Sequence, residues 1–410
     1  MSYQQINGGV TAPQGFEAAA AAAGIKYANR TDMALVYSTA PCVSAGTFTS
    51  NVVKAAPVLW DRHIVRETEH SVQAVVVNSG IANACTGEEG MKICRETAEE
   101  AGRVLGIEPE AVLVGSTGVI GMQIPMDRVK CGIEKLAAEK SGTREAGEAA
   151  SRAIMTTDTV NKEIAVAFQA GGKTVTLGGM SKGSGMIHPG MCTMLAFLTT
   201  DAAIEKSLLQ KAVSEVVEDT FNMISVDGDM STNDTLLVLA NGLAGNAVIT
   251  EEGEDYENFL EALMFVCRTL AMKMAGDGEG ATRLIETQVI HADTVANAKI
   301  LAKSVIQSNL TKAAIFGKDA NWGRVLCALG YSGAQFDPEN VDLSFEADGR
   351  RILIFTKGSA AEYSEEEATE LLGKEKVIIL CDMHMGDAAA TAWGCDLTYD
   401  YVKINADYRS

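Results

Sequence analysis

Four Gly-rich segments hold the side chains whose types and spacing could do chemistry. The densest is Gly178-Gly-Met-Ser-Lys182-Gly-Ser-Gly-Met-Ile-His188-Pro-Gly-Met-Cys192-Thr193, where a lysine, a histidine and a Cys-Thr pair sit among small residues. Lys182 is not placed as the phosphate-loop pattern GxxxxGK[ST] requires. What the glycines offer is a backbone that can be approached closely, although a plain surface loop fits the spacing as well. Gly115-Ser-Thr-Gly-Val-Ile-Gly121 follows an apolar run but reads GxxGxxG, not the dinucleotide GxGxxG. Such a turn can present paired backbone N–H groups, the usual material of an oxyanion hole; a tight turn without chemistry is the alternative. Asp227-Gly-Asp-Met-Ser-Thr-Asn-Asp234 begins like a calcium loop, then fails at its sixth position (Thr232) and twelfth (Val238). An acidic turn closed by its own Asx bonds is expected instead. In Gly276-Asp-Gly-Glu279-Gly-Ala-Thr-Arg283, Glu279 could meet a substrate ammonium, and a solvated glutamate is the plainer reading.

The remaining chemistry-bearing residues show no pattern of their own. His63, His70, His188, His291 and His384 form no HExxH and no spaced pair, and no GxSxG elbow supports a serine triad. Nine cysteines, an odd and scattered set without Cys-x-x-Cys, resemble neither a zinc site nor a disulfide framework. Reduced thiols in a cytoplasmic protein are expected. The start, Met-Ser-Tyr-Gln-Gln-Ile, lacks the basic and apolar regions of a signal peptide, and no apolar run approaches the ~20 residues of a membrane span. With 34 Lys and Arg against 54 Asp and Glu over 410 residues, the formal charge is −20. That excess repels polyanions, so nucleic acid is not an expected partner. No metal or bound cofactor is expected either.

The elements that must position these residues alternate along the chain. Strands are expected at 73–77, 111–114, 173–177, 193–199 and 235–239, and helices at 91–105, 202–219 with Asp201 as N-cap, 256–274 and 294–307. Asp348-Gly349 between 341–345 and 351–355 signals a hairpin, and Ser364-Glu-Glu-Glu367 a capping box. Strands joined both by turns and by helices fit α+β layers better than a strictly alternating parallel winding. The length suits two ordinary domains or one elaborated one, and no internal repeat is found.

The Lys182–Thr193 stretch with Met194-Leu-Ala-Phe-Leu-Thr-Thr-Asp201 closely resembles the ornithine acetyltransferase (glutamate N-acetyltransferase) family. Further matches run the length of the chain: Gly8–Phe16, Ala45–Pro57, Val77–Gly80, Ala82–Gly87, Gly115–Gly121, Val226–Asp229, Ser231–Asp234, Asn321–Arg324 and Tyr401–Tyr408. The resemblance implies a layered sandwich of β-sheets flanked by helices, similar to the N-terminal-nucleophile aminopeptidases. It implies self-cleavage between Cys192 and Thr193, giving an α chain (1–192) and a β chain (193–410) that both contribute to one composite site. Thr193 would then be nucleophile, with its freed α-amine as base.

By the same resemblance Thr117 and Gly118 would hold the oxyanion, and Thr156, Lys182, Thr193, Glu279, Asn405 and Ser410 would bind substrate. The implied reaction is ping-pong: acetyl passes from N-acetylornithine to Thr193 and on to glutamate, in arginine biosynthesis. Some family members also take acetyl from acetyl-CoA. A heterotetramer of two cleaved pairs is the family's assembly. Cys192 and Gly190 depart from the family's alanine and asparagine, and Ile81, Met230 and Ala320 from its Asn, Thr and Pro; none is a proposed nucleophile or oxyanion residue. An aminopeptidase of the related fold and a non-enzymatic small-molecule binder are the competing readings, and Cys192 the competing nucleophile.

Overall fold

Met33–Phe48 is a strand of sixteen residues (β3), long enough to serve both halves of one sheet. The computed structural model that contains it describes residues 3–188 and 194–406. These form two units, one of residues 3–183, 194–221 and 230–270, the other of 184–188, 222–229 and 271–406.

In the first unit the strands are β1 (Tyr3–Ile6), β2 (Phe16–Ala21), β3, β4 (Val72–Ile81), β5 (Val112–Val119), β6 (Lys162–Ala170), β7 (Lys173–Lys182), β8 (Leu195–Thr200) and Thr235–Ala240. They order as β1-β6-β7-β8-(Thr235–Ala240)-β3-β4-β5, with β2 also on β3. The early part of β3 pairs with β2 and β4, the late part with Thr235–Ala240. Its register with β4 slips between Tyr37 and Cys42, where Pro41 has no N–H to give the ladder. The two halves share a core. Val36, Val75, Val77 and Leu113 from one half cluster with Met180, Leu195, Phe197, Leu237 and Leu239 from the other.

The period of two then sends the alternate residues outward. Leu35, Ala74, Val76 and Val112 pack with Ile93, Ala98 and Ala101 of the helix Gly87–Leu105 and with Val129, Ile133 and Leu136 of Met126–Glu139. On the other half, Phe259 of the helix Glu254–Gly276 meets Phe168 of β6 edge-on at 6.0 Å, and Gln210 of Lys206–Glu218 accepts a hydrogen bond from the Gly46 N–H at 3.1 Å. Helices, sheet, sheet and helices are therefore stacked in one unit, an α+β sandwich. Burying each large apolar side chain in it stabilises by ~1.5–3 kcal/mol.

Three expectations shift. The strand expected at 111–114 continues to Val119, because parallel pairing with β4 carries it through the glycines. β7 likewise runs on from Leu177 to Lys182, so this part of the suspected surface loop is buried sheet. The helix expected from Ala202 starts at Lys206, and Asp201 is not its cap. The Asp201 carboxylate instead accepts the N–H groups of Gln14 and Thr176, at 3.0 and 2.7 Å.

In the second unit, seven strands order as Ser359–Ala360, Arg350–Thr356, Asp342–Ala347, Lys376–Asp382, Leu284–Ala292, Ala388–Cys395 and Ile224–Ser225. The hairpin turns at Asp348 and Gly349, with φ of 50° and 76°, the paired positive values of a type I′ turn. Ser364 caps the helix Glu365–Leu372 by accepting from the Glu367 N–H. Among the described residues no helix is long and apolar enough to cross a membrane.

Candidate active site

β5 and β7 end on a shared cluster in the first unit. Lys182, the last residue of β7, donates from Nζ to Thr117 Oγ1 at 3.1 Å and to Thr156 Oγ1 at 2.9 Å. Three residues from separate segments, each implicated in the sequence, thus meet through one ammonium. Between the adjacent threonines 156 and 157, it is Thr156 whose hydroxyl meets Lys182. Its backbone is fixed by Arg30, which donates to the carbonyls of Met155 and Thr156.

Gly118 follows Thr117 at φ 130°, a conformation side chains resist. A Cβ there would lie 2.3 and 2.4 Å from the carbonyl carbon and oxygen of Gly80, its partner on β4. Only glycine lets the two strands approach so closely. The segment read as a turn is therefore a strand carrying one glycine-only backbone position.

Beneath this cluster lies a charge network the sequence reading missed. Asp158 accepts from Lys162 Nζ at 2.7 Å, from the Gly183 N–H at 2.7 Å and from the Thr156 N–H at 3.1 Å. The side chains of Asp158 and Lys162 are both fully buried. Burial would raise the Asp158 carboxyl, but Lys182, Lys162 and the hydrogen bonds outweigh it and bring its pKa down to about 2. Asp234 behaves oppositely: burial pushes it well above the carboxylate range, against Ser231, Thr49, Lys182 and the Met194 N–H. Lys182 thus stands between one ionised acid and one driven toward its neutral form. The spacing of Asp158 and Lys162, four residues apart, was the only sequence signal for the pair.

Asn233 donates to the carbonyls of Ala82 and Ser116 at 2.6 and 2.9 Å, and Ser116 donates to Asn78 at 2.7 Å. These bonds hold β4 and β5 in place around Thr117. The expected acidic turn is therefore divided. Asn233 and Asp234 are buried in the first unit, whereas Asp227 belongs to the second, where it accepts from the N–H groups of Met186, Ile187 and Asp229.

Glu279 lies in the second unit and is buried, not solvated as its plainer reading holds. Asn405, in the helix Tyr399–Asn405, donates to its Oε2 at 2.7 Å. The Glu279 N–H donates to the Ser184 carbonyl, and a Cβ on Gly185 would come within 2.4 Å of the carboxylate. His188 makes hydrogen bonds with Ser225 and Gln307, and burial followed by Lys303 lowers its pKa against Asp227 and Asp229. Its imidazole is thereby biased toward the neutral form.

Cys192, Thr193 and Ser410, with Gly190 and Tyr408, lie outside the described residues. None of the eight cysteines that are described is in a disulfide. Burial pushes Cys42 and Cys381 up to about 12, far from the thiolate a nucleophile requires.

A layered α+β sandwich that gathers hydroxyls, a lysine and a glycine-only backbone at the ends of β5 and β7 is a framework suited to acyl transfer. The family model described as the ArgJ family matches residues 17–410, and the chain belongs to that family. It is 54% identical over 407 residues, 99% of each chain, to the arginine biosynthesis bifunctional protein ArgJ of Symbiobacterium thermophilum. To the protein of that name from Bacillus subtilis it is 45% identical over 406 residues, 99% of this chain and 98% of the other. The crystal structure of arginine biosynthesis bifunctional protein argJ from Bacillus halodurans shares 47% identity, covering 51% of this chain and 97% of that one, at a TM-score of 0.49. Ornithine acetyltransferase from Mycobacterium tuberculosis, solved with ornithine, shares 40%, covering 46% and 99%, at 0.43.

Proposed function

We propose that the protein transfers acetyl from N-acetylornithine to glutamate, yielding ornithine and N-acetylglutamate, through an acetyl-threonine at Thr193. The observation that carries this reading is the convergence of Thr117, Thr156 and Lys182 beside the strand that begins two residues after Thr193. In the β7–β8 ladder Lys182 pairs with Leu195, and Asp234 accepts from the Met194 N–H. Membership in an acetyltransferase family supports acyl transfer to an amine over the aminopeptidase alternative.

The chain first cleaves between Cys192 and Thr193, leaving residues 1–192 and 193–410 associated. β7 and β8 lie on either side of that bond in the chain and are hydrogen-bonded neighbours in the sheet, which supports continued association. The freed amine of Thr193, with an ordinary pKa of ~7.7–8.0, takes the proton of the same residue's hydroxyl. Oγ bonds to the acetyl carbon, and the carbonyl electrons move onto the oxygen. Thr117 and the Gly118 N–H stabilise that oxyanion. Collapse breaks the C–N bond, and the proton leaves on the ornithine amine. The amine of glutamate then attacks the acetyl ester and restores Thr193.

Lys182 and Thr156 suit an α-carboxylate, Glu279 an ammonium, and Asn405 and Ser410 complete the substrate contacts. Acetyl-CoA is the second donor in a bifunctional enzyme, and a cytoplasmic heterotetramer of two cleaved pairs is the working assembly. Intact mass spectrometry of the wild type beside Thr193→Ala tests this. Two fragments meeting at Cys192–Thr193 in the wild type and one uncut variant are expected. An uncut wild type that still transfers acetyl would overturn the N-terminal nucleophile.

A further inference from the structure

The second unit brings together two histidines that are far apart in the sequence. His291 is the penultimate residue of the strand Leu284–Ala292, and His384 follows Lys376–Asp382, which runs parallel to it with Ile290 opposite Asp382. Asp342 opens the neighbouring strand and is paired across to Asp382. His291 Nδ1 lies 2.8 Å from Asp382 Oδ1, and His384 Nδ1 lies 3.3 Å from the same oxygen. The two imidazole rings stack at 6.4 Å. All three side chains reach solvent: 53% of His291, 39% of His384 and 20% of Asp382 is exposed.

The proton arrangement makes the cluster more than a surface ion pair. His384 Nε2 stands 2.9 Å from Asp342 Oδ2. An ionised carboxylate only accepts, so that nitrogen carries the hydrogen. In a neutral imidazole the other nitrogen, Nδ1, then holds a lone pair, and it faces a second carboxylate oxygen. Two acceptors at 3.3 Å call for a positive species between them. A second-sphere carboxylate fixing the tautomer of a ligating histidine is the usual support of a metal ligand. Bonds of ~2.0–2.2 Å to nitrogen and oxygen put tetrahedral ligand atoms roughly 3.3 Å apart, which the His384 Nδ1 to Asp382 Oδ1 distance matches, whereas the 2.8 Å from His291 Nδ1 is a hydrogen bond that an entering ion would open.

We propose that His291 Nδ1, His384 Nδ1 and Asp382 Oδ1 form a binding site for one divalent transition-metal ion, with Asp342 orienting His384. Two imidazoles and one carboxylate select zinc, nickel or copper over calcium or magnesium. Water fills the remaining positions on the exposed side. The ion ties the loop after Asp382, whose Met385 and Gly386 N–H groups already donate to the His291 carbonyl, to the end of the adjacent strand.

The test uses the full-length enzyme, stripped with chelator, free of any histidine tag, and alkylated to block the exposed Cys85, Cys131 and Cys327. Titration with nickel(II) alone, followed by calorimetry, should show one equivalent bound per chain. His291→Gln and His384→Gln should each weaken binding at least tenfold. Asp342→Asn should weaken it by ~10–100-fold, as loss of an outer carboxylate does, and His63→Gln should leave it unchanged. Nickel should raise the melting temperature of the wild type and not of the His291→Gln/His384→Gln double variant. Acetyl transfer by the metal-free double variant should match the wild type, showing that it folds. No saturable binding by the wild type, or equal affinity in the wild type and both histidine variants, overturns the proposal. In that case a proton alone bridges His384 and Asp382.

Discussion

Asp158→Asn tests the network beneath the candidate site. The wild-type carboxylate accepts three hydrogen bonds and faces Lys162 in a pair whose two side chains are fully buried. Its pKa falls from the ordinary 3.8 to about 2, which corresponds to about 2 kcal/mol of folding stability at neutral pH. Removing the charge also leaves the Lys162 ammonium buried without its anionic partner, and breaking such a pair costs about 3–5 kcal/mol. We expect a loss of about 3 kcal/mol. At roughly 2–4 °C per kcal/mol for a body of 150–250 residues, melting should fall by about 6–12 °C. Because the folded pKa is depressed, the contribution is present above about pH 4 and disappears as pH falls through about 2. The gap between wild type and variant should therefore hold from pH 7 to 5 and close toward pH 2. Asp158 also sets the Thr156 backbone, so KM for the amino-acid substrate should rise more than kcat falls. Equal melting temperatures at pH 7, or a gap unchanged down to pH 2, would refute the reasoning.

Gly118→Ala should cost far more than an ordinary surface change, because its Cβ meets the Gly80 backbone. Soluble yield and acetyl transfer should both collapse, and a near-wild-type enzyme would remove Gly118 from the oxyanion role. Thr117→Ala should lower kcat by ~10²–10³ with melting nearly unchanged; a loss below threefold counts against that assignment. Asp61 is fully buried, accepts from the Val114 N–H, and is raised well above the ordinary range by burial. Keeping it folded becomes costlier as pH rises from the ordinary 3.8 toward that raised pKa, where the unfolded carboxyl ionises and the folded one does not. Asp61→Asn should therefore gain stability relative to wild type from pH 5 to 8, and parallel melting curves across that range would contradict the burial argument. Lys182→Met should raise KM for glutamate at least tenfold in steady-state kinetics, and an unchanged KM would mean that the carboxylate binds elsewhere.

The strands and long helices were legible because their signal is local. The continuous apolar run in 73–77 and the apolar stripe in 91–105 follow from the geometry of the chain itself, and both elements appear, the strand lengthened at both ends and the helix at its start. Strand ends were less legible where glycines interrupt the pattern. Pairing with β4 keeps Gly115–Gly118 extended, and no residue within β5 announces that. Asp201 looked like a cap because it precedes a helical stripe, yet distant N–H groups from Gln14 and Thr176 claim its carboxylate. Ser231–Asp234 looked like part of a turn because Asp and Asn favour turns, and burial against β4 and β5 overrides that local preference.

By itself, the sequence determined the class of fold, the family, and the residues Thr117, Thr156, Lys182 and Glu279 as candidates, since residue type and order are enough for a motif. Only the tertiary structure decided that Lys182 joins Thr117 to Thr156, that Asp158 is held ionised while Asp234 is pushed toward neutrality, and that His291 and His384 converge on Asp382. Those outcomes depend on distance and desolvation. Both are set by which strands become neighbours, and no spacing along the chain records them.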